Sequence, residues 1–374
     1  MKISIVTYEF PPYSGGIGSY CFQLAQALAH HGHAVTVVTN RPAELGNECF
    51  TRVLMKTWGG FAGFFLEPVL LWQILSQSGS DVAFITHAKM IRSASILALW
   101  SDVSSFVPIL HGTEIRELAA FKGWFGALKR FMFKRFLKSV RHIITNTHHT
   151  ARILDDAFGV RQNREVIYPV VDDIFLNTPC KMTDVQSNML HLLTVARLEK
   201  GKGHDLVLRA LSLLKRDNIS LQYTIVGKGS YKQELCHMVK EMCLESEVNF
   251  VGEKKGLELI EYYDTCDVFV MPSSIDSFGI VFLEAAARNK PVIAGSHGGG
   301  SEFISDGENG FIIADDSAEA LAQRLRELYA HSERVKWMGI SGHKKVMENF
   351  SPAAMANAAE KVVAGLTQPP SGER

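Results

Sequence analysis

Val268-Phe269-Val270-Met271-Pro272-Ser273-Ser274-Ile275-Asp276-Ser277-Phe278-Gly279-Ile280-Val281-Phe282-Leu283-Glu284 is the stretch on which the reading of the fold turns. The apolar run 268–271, stopped by Pro-Ser-Ser, reads as a buried parallel strand feeding a loop. A second apolar run with helical spacing follows, so a helix is expected to begin near Phe278. The first N–H groups of such a helix have no intrahelical partner and point out of the strand's carboxyl end, where the helix dipole also favours an anion. Two carboxylates, Asp276 and Glu284, bracket the turn. Glu284 falls about one and a half turns into the helix, among Val281, Leu283, Ala285, Ala286 and Ala287. A carboxylate in that company is costly unless something hydrogen-bonds it. Taken alone, the same pattern fits a helical Glu with its head in solvent.

Outward from this stretch the chain repeats one theme, apolar runs of strand length followed by turn residues and helical periodicity, the pattern of a parallel sheet with crossover helices. Residues 3–7, 34–39, 82–86, 107–110, 143–145 and 166–167 form a first set of expected strands. After a polar break at 177–188 a second set follows at 190–196, 222–226, 248–251, 268–271, 292–294 and 311–313. Helices are expected near 317–330 and 351–365, and the tail 368–374 reads as disordered. The expected fold class is α/β, with two doubly wound, Rossmann-like domains facing each other across a cleft. The expected boundaries are 1–176, a linker at 177–189, a second domain at 190–350, and a C-terminal helix and tail at 351–374 that packs back toward the first domain. Ligands of such sheets bind outside the carboxyl ends of the strands, so the cleft is the expected site.

Length and composition fit two domains with sizeable cores: 374 residues, 47% hydrophobic and 21% charged. A formal net charge of zero supplies no field to draw in nucleic acid. Six cysteines are scattered without C-x-x-C pairs, which points to a reducing cytoplasm and away from structural zinc. The chain opens with a strand rather than a signal peptide, and no apolar run reaches the roughly 18 residues of a membrane span. A cytoplasmic protein is expected, soluble or peripheral on the inner face of the cytoplasmic membrane.

Four further segments place chemistry at strand ends. Pro11-Pro12-Tyr13-Ser14-Gly15-Gly16-Ile17-Gly18 follows the first strand and leads into a helix, so Gly15 and Gly16 let backbone N–H groups approach a phosphate. A dinucleotide-binding loop is the competitor. Against it, Gly16-x-Gly18-x-x-Cys21 lacks a third small residue, and the second strand ends in Thr39-Asn40, where a ribose-binding acid would be expected. Arg197 and Lys202 lie five residues apart after the first strand of the second half. Each cation about 4 Å from a diphosphate oxygen would contribute roughly 4 kcal/mol of attraction at an effective dielectric of about 20, before desolvation. A solvated surface loop is the alternative for that segment. Gly227 and the pair Val251-Gly252 each end a strand, consistent with a backbone-lined slot for a base. His111-Gly112-Thr113-Glu114 follows a strand of the first half, where a lone His is more often structural than catalytic.

Together these segments resemble the family 4 retaining glycosyltransferases, which have the GT-B fold. The resemblance runs from residue 1 to about 364 and rests on the order and spacing of several parts. These are Pro11-Pro12-x-x-Gly15-Gly16-x-Gly18, Gly32-His33-x-Val35-Thr36-Val37, His111-Gly112, Tyr168-Pro169-x-Val171-Asp172, Arg197-x4-Lys202-Gly203, the Asp276 to Glu284 box, and Gly299-Gly300-x-Glu302 with Gly307-x-x-Gly310. It implies a donor-ribose contact at Glu284 and diphosphate contacts at Arg197 and Lys202. It also implies that Gly15, Gly16 and the helix start at Phe278, Gly279 and Ile280 help hold the diphosphate and sugar. His111 would lie near the reacting sugar, and Asp276 would touch donor hydroxyls. The implied enzyme is a retaining hexosyltransferase that needs no metal or cofactor, moving a sugar from a UDP or GDP sugar to a glycan or lipid-linked acceptor in cell-surface polysaccharide or glycolipid synthesis. Two features depart from the family: the box opens with Asp276 in place of the usual Glu, and Gly298-Gly299-Gly300 replaces the usual Gly-Gly-x-Pro. The Asp-Asp pairs at 155, 172 and 315 are expected to be solvated or capping residues.

One segment bears on the acceptor. Residues 122–138 mix aromatics with cations at helical spacing and carry no acid, so the region 122–142 either lies on an anionic membrane surface or forms a domain helix with solvated cations. Residues 61–75 are strongly apolar and at this length read as a buried helix, with membrane contact as the alternative. A nucleotide-sugar epimerase or phosphorylase on the same fold, or a non-enzymatic nucleotide-sugar binding module, are the alternative functions.

Overall fold

The computed structural model describes residues 1–11, 16–40, 48–56, 60–121, 123–160, 163–180, 189–274, 278–296, 299–314 and 317–367. In chain order the elements are β1 (Lys2–Val6), α1 (Gly16–His30), β2 (Ala34–Thr39), β3 (Thr51–Leu54), α2 (Gly60–Ser78), β4 (Val82–Ile85), α3 (Ala88–Leu97), β5 (Phe106–Leu110), α4 (Thr113–Ala120), α5 (Gly123–Ser139), β6 (Ile143–Thr145), α6 (His148–Phe158) and β7 (Arg164–Val166). They continue as α7 (Asp173–Asn177), β8 (Leu190–Val195), α8 (His204–Arg216), β9 (Leu221–Val226), α9 (Lys232–Glu241), β10 (Val248–Gly252), α10 (Gly256–Thr265), β11 (Val268–Met271), α11 (Ile280–Ala287), β12 (Val292–Gly295), β13 (Gly310–Ile313), α12 (Ala318–Ala330), α13 (Ser332–Asn349) and α14 (Pro352–Thr367). The chain forms two units, Met1–Val170 with Pro352–Arg374, and Val171–Ser351.

Unit 1 holds a parallel sheet in the order β3-β2-β1-β4-β5-β6-β7. Alternate strand residues point to opposite faces, and here both faces are covered, as parallel sheets require. Val6, Ala83, Ile85 and Leu110 pack with residues of α2, α3 and α5. Ile3, Ile5, Phe84 and Ile109 pack with α1 and with Met355, Ala359 and Val362 of α14, so the C-terminal helix completes this unit's second face. Unit 2 holds a sheet in the order β10-β9-β8-β11-β12-β13. Val268 and Val270 of β11 join the core formed with α8, α9 and α12. Phe269 between them turns to the other face and meets the Phe282 ring of α11 edge-on at 5.6 Å. In both sheets the strand order reverses once, between β1 and β4 and between β8 and β11.

Several expectations shift. β3 is an additional edge strand with no fully buried residue, and β7 lies at Arg164–Val166 rather than 166–167. α13 is an additional helix. The division between units falls at Val170 and Val171, ahead of the polar break at 177–189, most of which lies outside the described residues. The physical reason is Arg288, the C-cap residue of α11. Its fully buried guanidinium pairs with Asp264 at 2.8 Å and donates to the carbonyls of Phe175, Thr178 and Pro179, tying α7 and the chain after it to unit 2. The tail 368–374 is outside the described residues. Of the aspartate pairs, Asp155 binds Arg164 and Asp172 caps α7 by accepting from the Ile174 amide, whereas 315 is outside the described residues.

Replacing Arg288 with Met would remove the guanidinium that pairs with the buried Asp264 carboxylate. Breaking a buried pair in this way costs about 3–5 kcal/mol. Chemical denaturation of the variant should show that loss in unit 2, and an unchanged midpoint would contradict the clamp.

Candidate functional site

The strand-order reversal in unit 2 puts the loops that follow β8 and β11 side by side, because those two strands are neighbours. The carbonyl of Gly201, in the β8 loop, accepts from the Ser274 amide at 3.0 Å and the Ser273 hydroxyl at 3.1 Å, both in the β11 loop. The approach is close enough to dictate sequence. A Cβ on Gly203 would stand 2.5 Å from the Pro272 carbonyl oxygen, and its φ of +83° is left-handed. Further bonds carry the lacing to β9 and β10: Leu198 N–H to the Lys228 carbonyl at 3.0 Å, and Gly227 N–H to the Gly252 carbonyl at 2.8 Å. A Cβ on Gly227 would lie 1.9 Å from the Ala196 oxygen. Gly227 is therefore required by its neighbour, while Gly252 has a φ of +76° with open space in front of it, and Val251 is half-buried.

Arg197, Lys202, Gly227, Val251, Gly252, Gly279, Ile280 and Glu284 thus gather around the carboxyl ends of β8, β9, β10 and β11. The Arg197 side chain is 73% exposed and rests on Glu199 of the same loop at 2.8 Å. Lys202 is 8% exposed. Beneath this loop, His204 on the first turn of α8 lies 3.3 Å from the Tyr223 hydroxyl, which in turn lies 2.8 Å from the Thr194 hydroxyl. Burial pushes His204 down to about 4, so the imidazole is neutral. His204 was not among the expected site residues; its signal is a polar residue at the first turn after a phosphate-type loop.

α11 begins at Ile280, two residues later than the expected start at Phe278. Phe278 is a core residue, stacked on Phe350 at 5.8 Å. Gly279 caps the helix at φ 80°, where a Cβ would come 2.8 Å from the Phe282 ring. From the other side a Cβ on Gly300 would come 2.5 Å from the same ring, which accounts for glycine at that position of the Gly-rich turn. Asp276 lies outside the described residues.

Glu284 sits on α11 with its carboxyl enclosed by protein, although part of the residue reaches the surface. The buried Tyr263 hydroxyl donates to its Oε2 at 2.7 Å. Burial pushes the carboxyl up to about 7, the Asp172 charge adds to that rise, and the Tyr263 bond opposes it. Such a group changes charge near neutral pH and can accept hydrogen bonds from a polyol at little structural cost. Tyr263 too was missed; its place on the buried face of α10, opposite an acid in apolar company, was the available signal.

Unit 1 carries its own cluster at the ends of β1, β4 and β5. His111 follows β5, its ring meets Tyr20 edge-on at 5.1 Å, and its backbone N–H donates to Glu114. Burial, with His87 adding, pushes the ring down to about 3, and its Nε2 has no hydrogen-bond partner. A neutral imidazole with an unsatisfied buried nitrogen is a group waiting for a ligand or water. His87 holds a φ of 68°, caps α3 and stacks on Tyr8 at 5.1 Å. Gly16 opens α1, and a Cβ there would meet no protein atom within 4 Å. Gly15 lies outside the described residues.

The sequence profile described as Glycosyltransferase Family 4 matches residues 14–174, and that described as Glycosyl transferases group 1 matches residues 184–345. The chain belongs to the family 4 glycosyltransferases. A relative from Mycobacterium tuberculosis, a GDP-mannose-dependent alpha-(1-6)-phosphatidylinositol monomannoside mannosyltransferase, is 25% identical over 368 residues, covering 92% of this chain and 93% of the relative. A D-inositol 3-phosphate glycosyltransferase from Corynebacterium aurimucosum is 26% identical over 408 residues, covering 97% and 96%. The Rickettsia africae glycosyltransferase structure superposes with a TM-score of 0.82 at 20% identity over 98% of both chains. Anabaena HepE in complex with UDP gives 0.79 at 17%, covering 98% of this chain and all of that one. These structures share the GT-B fold with this glycosyltransferase, whose two Rossmann-like units are those described above.

With its ring held down near 3, His111 should stay neutral throughout the range in which glycosyltransferase activity is assayed. Ring-proton NMR of the glycosyltransferase should show no titration of His111 between about pH 5 and pH 8, against the ordinary midpoint of about 6.5. A midpoint near 6.5 would mean the ring is solvated.

Proposed function

We propose that this glycosyltransferase moves a hexose from a nucleotide diphosphate sugar to a glycan or lipid-linked acceptor, with retention of configuration and without a metal ion, in cell-surface polysaccharide or glycolipid synthesis. The observation that carries the reading is the stitched pair of loops after β8 and β11, which brings Arg197, Lys202 and the start of α11 to one strand-order reversal. A diphosphate leaving group needs its growing charge met by groups already in position, and two cations and a helix start supply that. Arg197 would exchange its Glu199 partner for the diphosphate, and Lys202 would hold the second phosphate. Glu284 accepts from the donor ribose, and Gly227, Val251 and Gly252 line the base slot. Phe278 acts from the core, by fixing the turn that leads to Gly279 and Ile280, and Asp276 and Gly15 complete the sugar and phosphate contacts.

With the leaving group stabilised, the acceptor hydroxyl attacks the anomeric carbon on the face the diphosphate leaves, without a protein nucleophile, as the bond from that carbon to the diphosphate oxygen breaks and the hydroxyl proton passes to the departing diphosphate. The neutral His111 imidazole offers a hydrogen-bonding nitrogen to the sugar. GDP-mannose is the donor named for the mycobacterial relative and UDP the nucleotide bound to HepE, so GDP and UDP sugars are the first donors to try.

We further propose that the enzyme works at the cytoplasmic face of a membrane. Among the described residues no helix is long and apolar enough to cross one. On α5, Phe133, Phe136 and Leu137 are buried in the unit 1 core, while Trp124, Phe125, Leu128 and Phe131 stay exposed beside five cations and no acid. Trp124 is 79% exposed. α2, expected to be buried, also exposes Leu66, Val69 and Trp72 while burying Leu71 and Leu75. An aromatic and basic face of that kind suits an anionic lipid surface.

Product analysis with a labelled donor tests the reaction, since an epimerase or a phosphorylase would leave the label off the acceptor. Lys202→Ala should lower turnover about a hundredfold or more with the fold intact, and near wild-type transfer would sink the diphosphate assignment. Liposomes containing anionic lipid should retain the protein at low salt, and replacing Trp124 and Phe131 with Ser should release it. Equal partition of the two proteins would refute the membrane face.

A further inference from the structure

Tyr263 has no role in the sequence motifs, yet its geometry ties it to the donor site. The residue is 0% exposed, and its ring lies 5.7 Å from that of Phe175 and 5.8 Å from that of Phe269, so packing from α7 and β11 fixes where the hydroxyl points. That hydroxyl donates its single proton to Oε2 of Glu284 at 2.7 Å. Burial and the neighbouring Glu284 charge push the phenol well above its ordinary range, so it remains a donor at any working pH.

The other groups around Glu284 do not do this work. From the turn ahead of α7 it is faced by Asp172, a second negative charge. At the C-cap of α11, one turn later, stands Arg288, but its guanidinium is taken by Asp264 and by three carbonyls. Among the described residues no cation pairs with Glu284, and its Oε1 accepts no hydrogen bond. One oxygen is therefore pinned by a buried phenol, and the other is presented.

We propose that Tyr263 is a positioning residue for the nucleotide donor: by holding Oε2 it fixes the orientation of the Glu284 carboxylate so that Oε1 can accept from a hydroxyl of the donor ribose. The inference rests on the assignment of Glu284 to that ribose. Without the phenolic proton the carboxyl is free to rotate about its terminal bond, and its anion loses the one protein hydrogen bond that stabilises it against burial. Both effects act on donor binding, and neither touches the transferred bond. Because the hydroxyls of a ribose donate, they bind the ionised carboxyl. Donor affinity should therefore rise with pH up to the Glu284 midpoint, about 7, and level off above it.

The test is Tyr263→Phe, which keeps the ring and removes the proton. UDP and GDP binding by calorimetry, with donor KM and kcat, are measured from about pH 5.5 to pH 8.5, with Glu284→Ala alongside. Loss of a hydrogen bond to a charged group predicts that Tyr263→Phe weakens binding about tenfold or more and raises donor KM by a like factor, with kcat nearly unchanged. The midpoint of the affinity profile should move upward, since the lost bond was holding it down. In the Glu284→Ala background the same substitution should add little. A Tyr263→Phe protein with wild-type nucleotide affinity and an unmoved midpoint overturns the inference, whatever its melting temperature. If Glu284→Ala leaves affinity unchanged, or neither nucleotide binds the wild type, the ribose assignment beneath it fails instead.

Discussion

One carbonyl oxygen, that of Gly201, closes the carboxyl end of the unit 2 sheet by accepting from the amide of Ser274 and the hydroxyl of Ser273. The strands that feed these loops, β8 and β11, are neighbours, but the chain leaves them in different directions. β11 sends Val268 and Val270 to the face that α8 covers and Phe269 to the face where Phe282 of α11 packs. Two loops heading to opposite faces would part as they leave the sheet, and the Ser274 amide and Ser273 hydroxyl bonds to Gly201 hold them together. That contact tolerates no side chain at Gly203. It also fixes, within one short loop, the backbone from which Arg197 and Lys202 project. A backbone placed in this way needs little reorganisation when an anion arrives, a condition that favours electrostatic stabilisation, although the Arg197 head must first leave Glu199.

A second constraint, the Arg288 clamp, works at the C-terminal end of α11, one turn beyond Glu284. Arg288 satisfies Asp264 and three carbonyls at once, so a fully buried ion pair is hydrogen-bonded at nearly every donor, as burial of charge demands. Its consequence for the site is indirect. By tying α7 and the chain after it to α10 and α11, it holds Phe175 against Tyr263 and brings Asp172 to the neighbourhood of Glu284. The pinning of Glu284 and the attachment of the chain crossing at Val171 are thus one packing problem.

Much of this was legible in the sequence, because buried parallel strands are written as short apolar runs ended by turn residues. The elements that escaped notice lack that signature. β3 is an edge strand whose residues are all partly exposed, so Thr51-Arg52-Val53-Leu54 carries no apolar run. α13 follows α12 with His331 alone between them, and no Gly or Pro marks the junction. The polar break near 177–189 suggested a domain boundary, but the boundary is set by what Arg288 grips, a tertiary fact that composition does not encode. Within the site, Gly-rich loops and cations could be read directly, since spacing after a strand specifies where they stand. Phe278 could not, because packing against Phe350 from a distant helix end makes it core. Tyr263 and His204 act through partners from other elements, and such pairings leave only a faint trace in one chain's sequence.

Glu284 shows how the site trades stability for binding. In the folded chain its carboxyl is held up to about 7 by burial and by Asp172, above its ordinary value of 4.5. A folded-state midpoint above the unfolded one means stability that is fully present below about pH 4.5 and is lost as pH rises through about 7. At neutral pH and above, the protein therefore carries a half-buried anion whose Oε2 is held by the Tyr263 hydroxyl. A hydrophobic residue there would serve the fold better, and a solvated carboxylate would serve the charge better. An acid kept in this state is suited to a ligand that brings its own hydrogen-bond donors, because the donors then supply what the protein withholds. The strain is local, and the aromatic packing around Tyr263 confines it to the one carboxyl that a ribose would reach.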